Sequence, residues 1–455
     1  MKASTHRVLL IALAATALPF IGGGWSQDDF VHIRRVADAG GIADFFTTKD
    51  PFGFYRPAAH ITWFADALVW GFRPALWRLT NVAIHAGVVL LAFEVAALLM
   101  TRRAAWLAAL TFVLTVKAPN VALFWPSARP ELIMSLWSLA AVAGWVQWDR
   151  RRGTGWLVVS GASYVFAFLA KETAALLPVL LLFTPSSHAL LTRRRLFAAA
   201  GILSLGAIPL ALRMSVGALM PTSVDEHYGW VWTTHRWWRS LQVYLPRALP
   251  SAAGLVLLVA IPAAVATRPV ASLRDALTNQ ATRRWAAYAL LWFLVFIAAA
   301  LPIVGRSELY LYLPGFGFGL LAGYFTDRVL TSVNRPRFAA IALTCYVALF
   351  AGYQIARHIE AHRVMRFTGA VVQAMRQDEW LRAQHGRVIV VPDDATTEQL
   401  LKDGIWGYMP VVVRYALERD DIDAAVEYTD QPRQDPSLPR VRLGYDGAIV
   451  RFRKF

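Results

Sequence analysis

The chain predicts an all-α polytopic membrane protein, with interfacial helices in its first exterior loop and a small α/β domain at its C-terminal end. Three observations carry this expectation. Apolar residues make up 57% of the chain and charged residues 17%, with 18 Trp and a mean hydropathy of +0.43, which leaves too little polar surface to cover a soluble globule. Apolar runs of about 18–22 residues, each long enough to cross a bilayer, recur along the sequence. Past residue 356 the runs stop and short strand-like and amphipathic segments take over.

About eleven runs are read in order, at residues 8–24, 79–100, 104–124, 132–148, 155–170, 173–191, 196–216, 241–266, 285–304, 310–325 and 338–355. The first follows Lys2 and Arg7, and its alanine-rich centre also fits a signal peptide. Gly22-Gly23-Gly24-Trp25 offers no clear small-x-small cleavage site, so the run is read as retained. Pro178 and Pro185 interrupt the sixth run, whose loss would reverse the sidedness of everything downstream.

With a cytoplasmic N-terminus, Arg102-Arg103, Arg150-Arg151-Arg152, Arg193-Arg194-Arg195 and the segments 268–284 and 328–337 all fall on the cytoplasmic face. The formal charge of +16 is then a topological signal, and no nucleic-acid partner is expected, because the arginines punctuate apolar runs and do not cover one soluble face. The arginine-over-lysine and alanine-rich bias suits a bacterium of high genomic GC content, hence a bacterial plasma (inner) membrane. The single cysteine, Cys345, lies in the last run, so an internal disulfide and a thiolate metal cluster are excluded, and it reads as a small core residue.

The exterior face receives the first loop, about 25–78, short segments near 127–131, 171–172 and 305–308, a loop near 221–239, and the tail. Within the first loop, Ile61, Phe64, Ala65, Leu68 and Val69 repeat at helical spacing, which predicts a helix over 58–72 lying in the membrane interface, where Trp63, Trp70 and Trp77 suit the headgroup depth. A tilted true span is the other reading, and it would invert the sidedness. The membrane domain is taken as 1–356 and a periplasmic or extracellular domain as 357–455, with strands at 387–392 and 448–452 and helical or mixed segments at 398–408 and 410–418.

The chemistry concentrates on that face. Asp28 and Asp29 follow the first run, where neighbouring charge and partial desolvation can make one carboxylate a base, or where the pair can hold a divalent cation such as magnesium or manganese. Arg129-Pro130-Glu131, Lys171-Glu172 and Arg306-Ser307-Glu308 place paired charges at helix ends near bilayer depth, where ionisable groups pair or serve a charged ligand. Three such pairs with the acidic pair point to a polar cavity for an anionic lipid head, with arginine and lysine suited to phosphate. Trp125, Tyr310 and Tyr312 either stack on a sugar or belong to the interfacial aromatic belt. Asn81 and His85 share one helical face, and His85 reads as an interhelical hydrogen-bonding group or as a contact to substrate or a metal, an ambiguity that His60 shares.

Asp-Asp-Phe at 28–30, Tyr-Arg-Pro at 55–57, the stretch from Asn81 to His85, Arg-Pro-Glu at 129–131, Ala-Lys-Glu-Thr at 170–173 and Leu-Tyr-Leu-Pro-Gly-Phe-Gly at 311–317 occur in the order seen in GT-C glycosyltransferases. Residues 8–325 resemble the protein O-mannosyltransferase-like branch, especially the membrane region of the TMTC-type mannosyltransferases. The tandem helical repeats of that type are missing, and the Arg129 and Arg306 segments depart from the commonest pattern. The resemblance implies inverting transfer of a hexosyl, mannosyl or pentosyl unit from a polyprenyl-phosphate donor to a lipid, glycan or protein acceptor at the outer face. It also implies that an acidic residue of the first exterior loop, by position Asp28 or Asp29, acts on the acceptor hydroxyl.

On this reading the donor lipid lies near 310–325 among the membrane lipids, and its phosphate meets Lys171, Arg306 or Arg129. Glu131, Glu172 and Glu308 orient those cations, and Tyr55, Arg56, Asn81, His85, Tyr310 and Tyr312 support the substrates. A transporter or lipid flippase would also need buried charge pairs, and a non-catalytic assembly protein could use the tail for docking. No internal repeat supports the transporter, and the unusual charges sit at helix ends.

Overall fold

The structure is a computed structural model that describes residues 3–115, 118–151, 153–185, 191–219, 229–266, 278–332, 336–431 and 434–454. Helix occupies each apolar run. α1 (Ala3–Ala14) tightens into a 3-10 turn, Ala15–Phe20, that contains Pro19, and three helices follow outside the bundle: α2 (Asp29–Ala37), α3 (Asp44–Thr47) and α4 (Pro57–Trp70). The bundle proper begins with α5 (Pro74–Leu99), α6 (Arg102–Val113), α7 (Ala118–Phe124), α8 (Arg129–Arg151) and α9 (Thr154–Ala170). It continues through α10 (Leu177–Leu182), α11 (Arg193–Leu205), α12 (Ala207–Ser215), α13 (Thr234–Ala248), α14 (Pro250–Leu255) and α15 (Ile261–Ala266). α16 (Gln280–Ile297), α17 (Pro314–Ser332) and α18 (Pro336–Gln377) complete it.

Among the described residues, four stretches are long and apolar enough to cross a membrane: α5, Arg193–Ser215, Gln280–Ala300 and α18. Two bent pairs raise this to six if each is one span: α6 with α7, inclined at 64°, and α13 with Pro250–Val265, at 42°. The sixth run is the weakest, as its prolines imply. Its helix, Glu172–Leu182, opens with a 3-10 stretch, and at about 1.5 Å per residue it covers roughly half of the hydrocarbon thickness. α8 is the central post, with Leu132, Met134, Leu139, Ala141, Val142 and Trp145 fully buried against α5 and α9.

The run at 338–355 is only part of α18, a helix of 42 residues about 63 Å long. The expected domain boundary at 356–357 therefore falls inside one continuous helix. Nothing in the sequence breaks it there, because Met365, Val371 and Met375 keep an apolar stripe on the projecting half. The glycine triplet explains how the end of α1 meets this helix. Gly23 has φ +105°, and a Cβ there would lie 2.7 Å from the backbone of Met365, while the Gly24 N–H donates to the Met365 carbonyl at 2.7 Å.

Beyond α18, the short helix α19 (Glu379–Ala383) leads to a four-stranded sheet of order β2-β1-β3-β4. β1 (Gly386–Pro392) runs parallel to β2 (Ile422–Val426) and β3 (Arg440–Tyr445), and β4 (Val450–Lys454) is antiparallel to β3. α20 (Ala395–Gly404) and α21 (Met409–Leu417) make the β1-to-β2 crossover. The sheet does not form a core of its own. Val388, Leu401, Met409 and Val413 join one apolar cluster with Trp25, Phe30, Ile33, Phe45, Trp63 and Trp77 of the first loop and Phe367 and Val371 of α18.

Two expectations are corrected here. Trp63 and Trp77 are 1% exposed and bonded through their indole N–H to Pro126 and Gly71 carbonyls, so they belong to this core and not to an interfacial belt. Cys345 is exposed on the outer face of α18 and is no core residue; its neighbour Tyr346 takes the inward position.

Candidate functional site

Asp28 precedes the first residue of α2 and Asp29 is that residue, so the positive end of the helix receives both carboxylates. The short segment between α7 and α8 closes over them. Ser127 Oγ donates to Asp28 Oδ1 at 2.5 Å, and the Ser127 N–H donates to Asp29 Oδ1 at 2.8 Å. The Ser26 N–H donates to Asp29 Oδ2 at 3.1 Å. Burial pushes the Asp28 carboxyl up to about 7, with the adjacent Asp29 adding to the rise and Ser127 opposing it. Burial also raises Asp29, to about 6, against the pull of the Arg78 guanidinium and the N–H donors.

Asp28 opens into a cavity of about 80 Å³ lined also by His32, Arg56, Trp125, Ser127, Lys171, Ser307 and Tyr310. This chamber gathers the first loop and three short inter-helix segments at one end of the bundle. Its cations are anchored from behind. Lys171 Nζ pairs with Glu131 and lies 4.8 Å from the Tyr310 ring centre. Arg56 pairs with Glu172 at 2.7 Å and stacks 3.8 Å from the Phe54 ring centre, and Glu172 also meets Arg213 at 3.2 Å. Burial alone would raise the Glu172 carboxyl, but Arg56 and Arg213 more than offset it and hold it well below the usual range.

That arrangement makes a stability prediction. A carboxyl depressed in the fold stabilises it above the ordinary carboxyl range, and that stabilisation is lost as the pH falls through and below about 4. Glu172→Gln removes the carboxylate that pairs with two largely buried guanidinium groups, a loss of about 3 kcal/mol. In detergent the variant is expected to melt several degrees below wild type at pH 7, with the gap closing as the pH falls toward 3. A constant gap across that range would show that Glu172 acts through packing and not charge.

Several expected site residues lie elsewhere. Arg129 is fully buried: it pairs with Asp66 at 2.6 Å and donates to Asn81 Oδ1 at 2.7 Å, the Trp77 carbonyl at 2.8 Å and the Thr62 carbonyl at 3.2 Å. It does not line the cavity, and its partners leave no donor face for a phosphate. Glu131 pairs with Lys171, whereas Glu172 pairs with Arg56 and Arg213, and Glu308 meets Arg247 at 3.5 Å and not Arg306. Arg306 is exposed beside Ser307 of the cavity wall and makes no ion pair among the described residues. Asn81 and His85 are interhelical groups: Asn81 Nδ2 donates to the Ala122 carbonyl at 3.0 Å, and His85 Nδ1 meets the Tyr312 hydroxyl at 2.5 Å in the bundle core. Tyr55 is buried, with its hydroxyl donating to Phe46.

Ser127, Arg78, Arg213 and His32 escaped the sequence reading. Arg213, a lone cation within an apolar run, carried a usable signal; Ser127 carried none. Arg78, fully buried, donates to the Phe124, Ile21, Gly23 and Gly24 carbonyls and so ties the end of α1 to the end of α7 beneath Asp29. Asp28 and Asp29, which could hold a divalent cation, do not belong to a group of three His, Cys, Asp or Glu side chains placed to bind a metal; among the described residues that group is His32, Asp50 and His60.

No family model and no curated protein sequence matches the chain. Solved structures do. ArnT from Cupriavidus metallidurans bound to undecaprenyl phosphate superposes with a TM-score of 0.56 at 15% identity, over 94% of this chain and 87% of that one. ArnT from the same organism in the apo state gives 0.55 at 14% identity, over 98% and 94%. Archaeal oligosaccharyltransferase AglB from Archaeoglobus fulgidus, in complex with an inhibitory peptide and a dolichol-phosphate, gives 0.49 at 9% identity over 92% and 64%. The likeness to ArnT is one of fold, and the chain has the GT-C fold.

Proposed function

We propose that the chain is a membrane glycosyltransferase that moves a sugar from a polyprenyl-phosphate donor to an acceptor hydroxyl at the outer face of a bacterial inner membrane. The observation that carries this reading is the meeting, in one chamber, of a carboxyl raised to about 7 with Lys171 and Arg56. A base tuned near neutrality and fixed cations are the two parts the reaction needs. The acceptor oxygen attacks the anomeric carbon and its proton passes to the Asp28 carboxylate. The anomeric C–O bond to phosphate breaks, and its electron pair leaves with the polyprenyl phosphate. Lys171 and Arg56, with Arg306 at the rim, face that developing charge.

Two further features support a lipid-linked donor. An apolar cleft of about 490 Å³ between α14, α16 and α17, lined by Leu249, Val256, Leu257, Phe318, Leu321 and Phe325, suits an isoprenoid tail. ArnT, which shares the fold, was solved with undecaprenyl phosphate, so polyprenyl phosphates are the class to test first. Trp125 and Tyr310, both on the cavity wall, suit the sugar ring.

The primary test is the glycolipid and glycoprotein mass profile of a deletion strain restored with wild-type protein. One sugar-bearing species should vanish and return; an unchanged profile in the deletion sinks the reading. Lys171→Met combined with Glu131→Gln, which removes both partners of the buried pair, is expected to fold and to bind undecaprenyl phosphate at least about 10-fold more weakly. Undiminished lipid binding in a folded double variant would remove Lys171 from the phosphate site.

A further inference from the structure

Beneath the chamber, three buried groups from three different segments face one another: His32 on α2, Asp50 in the loop before α4 and His60 on α4. They are 6%, 3% and 1% exposed, and one ligand atom from each lies within 4.8 Å of the other two. His32 Nδ1, Asp50 Oδ2 and His60 Nε2 have no hydrogen-bond partner. A buried polar atom left unpaired costs about 1–3 kcal/mol, so one on each of three adjoining side chains points to a missing common partner.

The free atoms are the ones a metal would use. His60 Nδ1 lies 3.0 Å from the Arg56 carbonyl. A carbonyl only accepts, so Nδ1 carries the proton and Nε2 presents its lone pair. Asp50 Oδ1 accepts from the Phe52 and Phe54 N–H groups at 3.0 and 2.8 Å, which fixes the carboxylate and leaves Oδ2 pointing away. Such outer bonds are how ligand tautomers and orientations are set in metal sites. Phe45, Phe52 and Trp63 pack around the two imidazoles, a shell that keeps bulk water out.

We propose that His32, Asp50 and His60 bind a divalent transition metal of the zinc class, clamping α2 to the loop and to α4 directly below Asp28. Two imidazoles and a carboxylate suit zinc better than magnesium, which prefers oxygen and retains its waters. Tetrahedral bonds of about 2.0–2.1 Å place ligands about 3.3 Å apart, so ligand atoms now within 4.8 Å of one another would close inward on binding. Three protein ligands leave a fourth position, and His32 borders the chamber that holds Asp28. Arg35 and Arg56 stand near the imidazoles, and their positive charge opposes a bound cation, so the nitrogen and carboxylate bonds must outweigh it. The proposal does not depend on the transferase reading.

The test uses the full-length protein in detergent. After purification and dialysis against buffer without chelator, elemental analysis should find close to one zinc per chain. Stripping with a chelator should lower the melting temperature by several degrees, and zinc chloride, but not magnesium chloride, should restore it. His60→Gln and Asp50→Asn should each cut the retained zinc at least 10-fold and abolish the zinc-dependent shift. If the wild-type protein holds less than about 0.1 zinc and shows no zinc-dependent shift, a buried water fills the gap and the proposal fails. It fails equally if either variant folds and retains zinc as wild type does.

Discussion

Asp28→Asn is expected to lower sugar transfer about 10³-fold while leaving the protein folded. A positioned general base contributes about 10²–10⁴, and among the described residues no second carboxyl lines the chamber, since Asp29 is bonded to the Ser127 and Ser26 N–H groups and is not part of the cavity wall. Asparagine can still accept the Ser127 hydroxyl through Oδ1, so the clamp over α2 survives. A carboxyl that burial has raised to about 7 is half protonated near neutrality, and removing its charge costs the fold little. Asp29→Asn should behave in the opposite way. Its amide would turn a donor toward the Ser26 N–H or the Ser127 N–H, and Arg78 would lose its nearby counter-charge, so the expected loss is in melting temperature and yield, with transfer per folded molecule reduced far less. Activity of Asp28→Asn within threefold of wild type would exclude Asp28 as the base.

The parts of this site that were legible in the sequence are those where a charge interrupts an apolar pattern. Asp28, Lys171 and Glu131 stood out because ionisable groups at the ends of membrane-length runs are costly, and each takes part in the chamber or its backing. What such a pattern cannot supply is partner choice. Glu172 follows Lys171 directly, yet it turns to Arg56 and Arg213, because the extended backbone at Lys171 sends consecutive side chains in opposite directions. Arg129 and Glu131 likewise divide between α4 and Lys171. The long helix α18 was read as ending near 355 because its projecting half is amphipathic, and only its contact with Gly23, Gly24 and the sheet shows that one helix serves both regions. β2 and β3 were missed: Ile422–Val426 and Arg440–Tyr445 are short and have few β-branched residues.

The α/β unit gains a role from this arrangement. Arg34 of α2 makes paired bonds to Asp420 at 2.6 and 2.9 Å, Phe30 meets the Tyr415 ring at 5.3 Å, and the Gln27 N–H donates to the Gly404 carbonyl at 2.8 Å. Gln27 itself adopts φ +47°, an uncommon conformation for a side-chain-bearing residue. Together these contacts fix the start of α2 from outside while Ser127 fixes it from the bundle side. The position of Asp28 is thus set by residues some 100 and 390 positions away in sequence, a separation that composition and spacing do not reveal.

The largest stability effect is expected at Arg129. Its guanidinium joins α4, through Asp66 and the Thr62 carbonyl, to α5, through Asn81 and the Trp77 carbonyl, and to the start of α8. Arg129→Met leaves Asp66 as a buried uncompensated charge and strips four acceptors, a loss of about 3–5 kcal/mol, a large share of the roughly 5–15 kcal/mol that ordinarily holds a fold together, so accumulation in the membrane should fall sharply. Arg129→Lys should be nearly as damaging, because a single ammonium cannot reproduce a planar fork directed at four acceptors. Asp66→Asn should be milder, since its carbonyl oxygen can still receive Thr80 Oγ1, which now donates at 2.8 Å, and Arg129 keeps its three other partners. Undecaprenyl phosphate binding separates this structural role from phosphate recognition. Whatever fraction of Arg129→Lys folds should bind the lipid as wild type does, whereas a weakened affinity in the folded fraction would mean that Arg129 reaches the donor after all. Because Ser127 lies two residues ahead of Arg129, loosening this junction should also free Asp28, so transfer is expected to fall with the melting temperature and not independently of it.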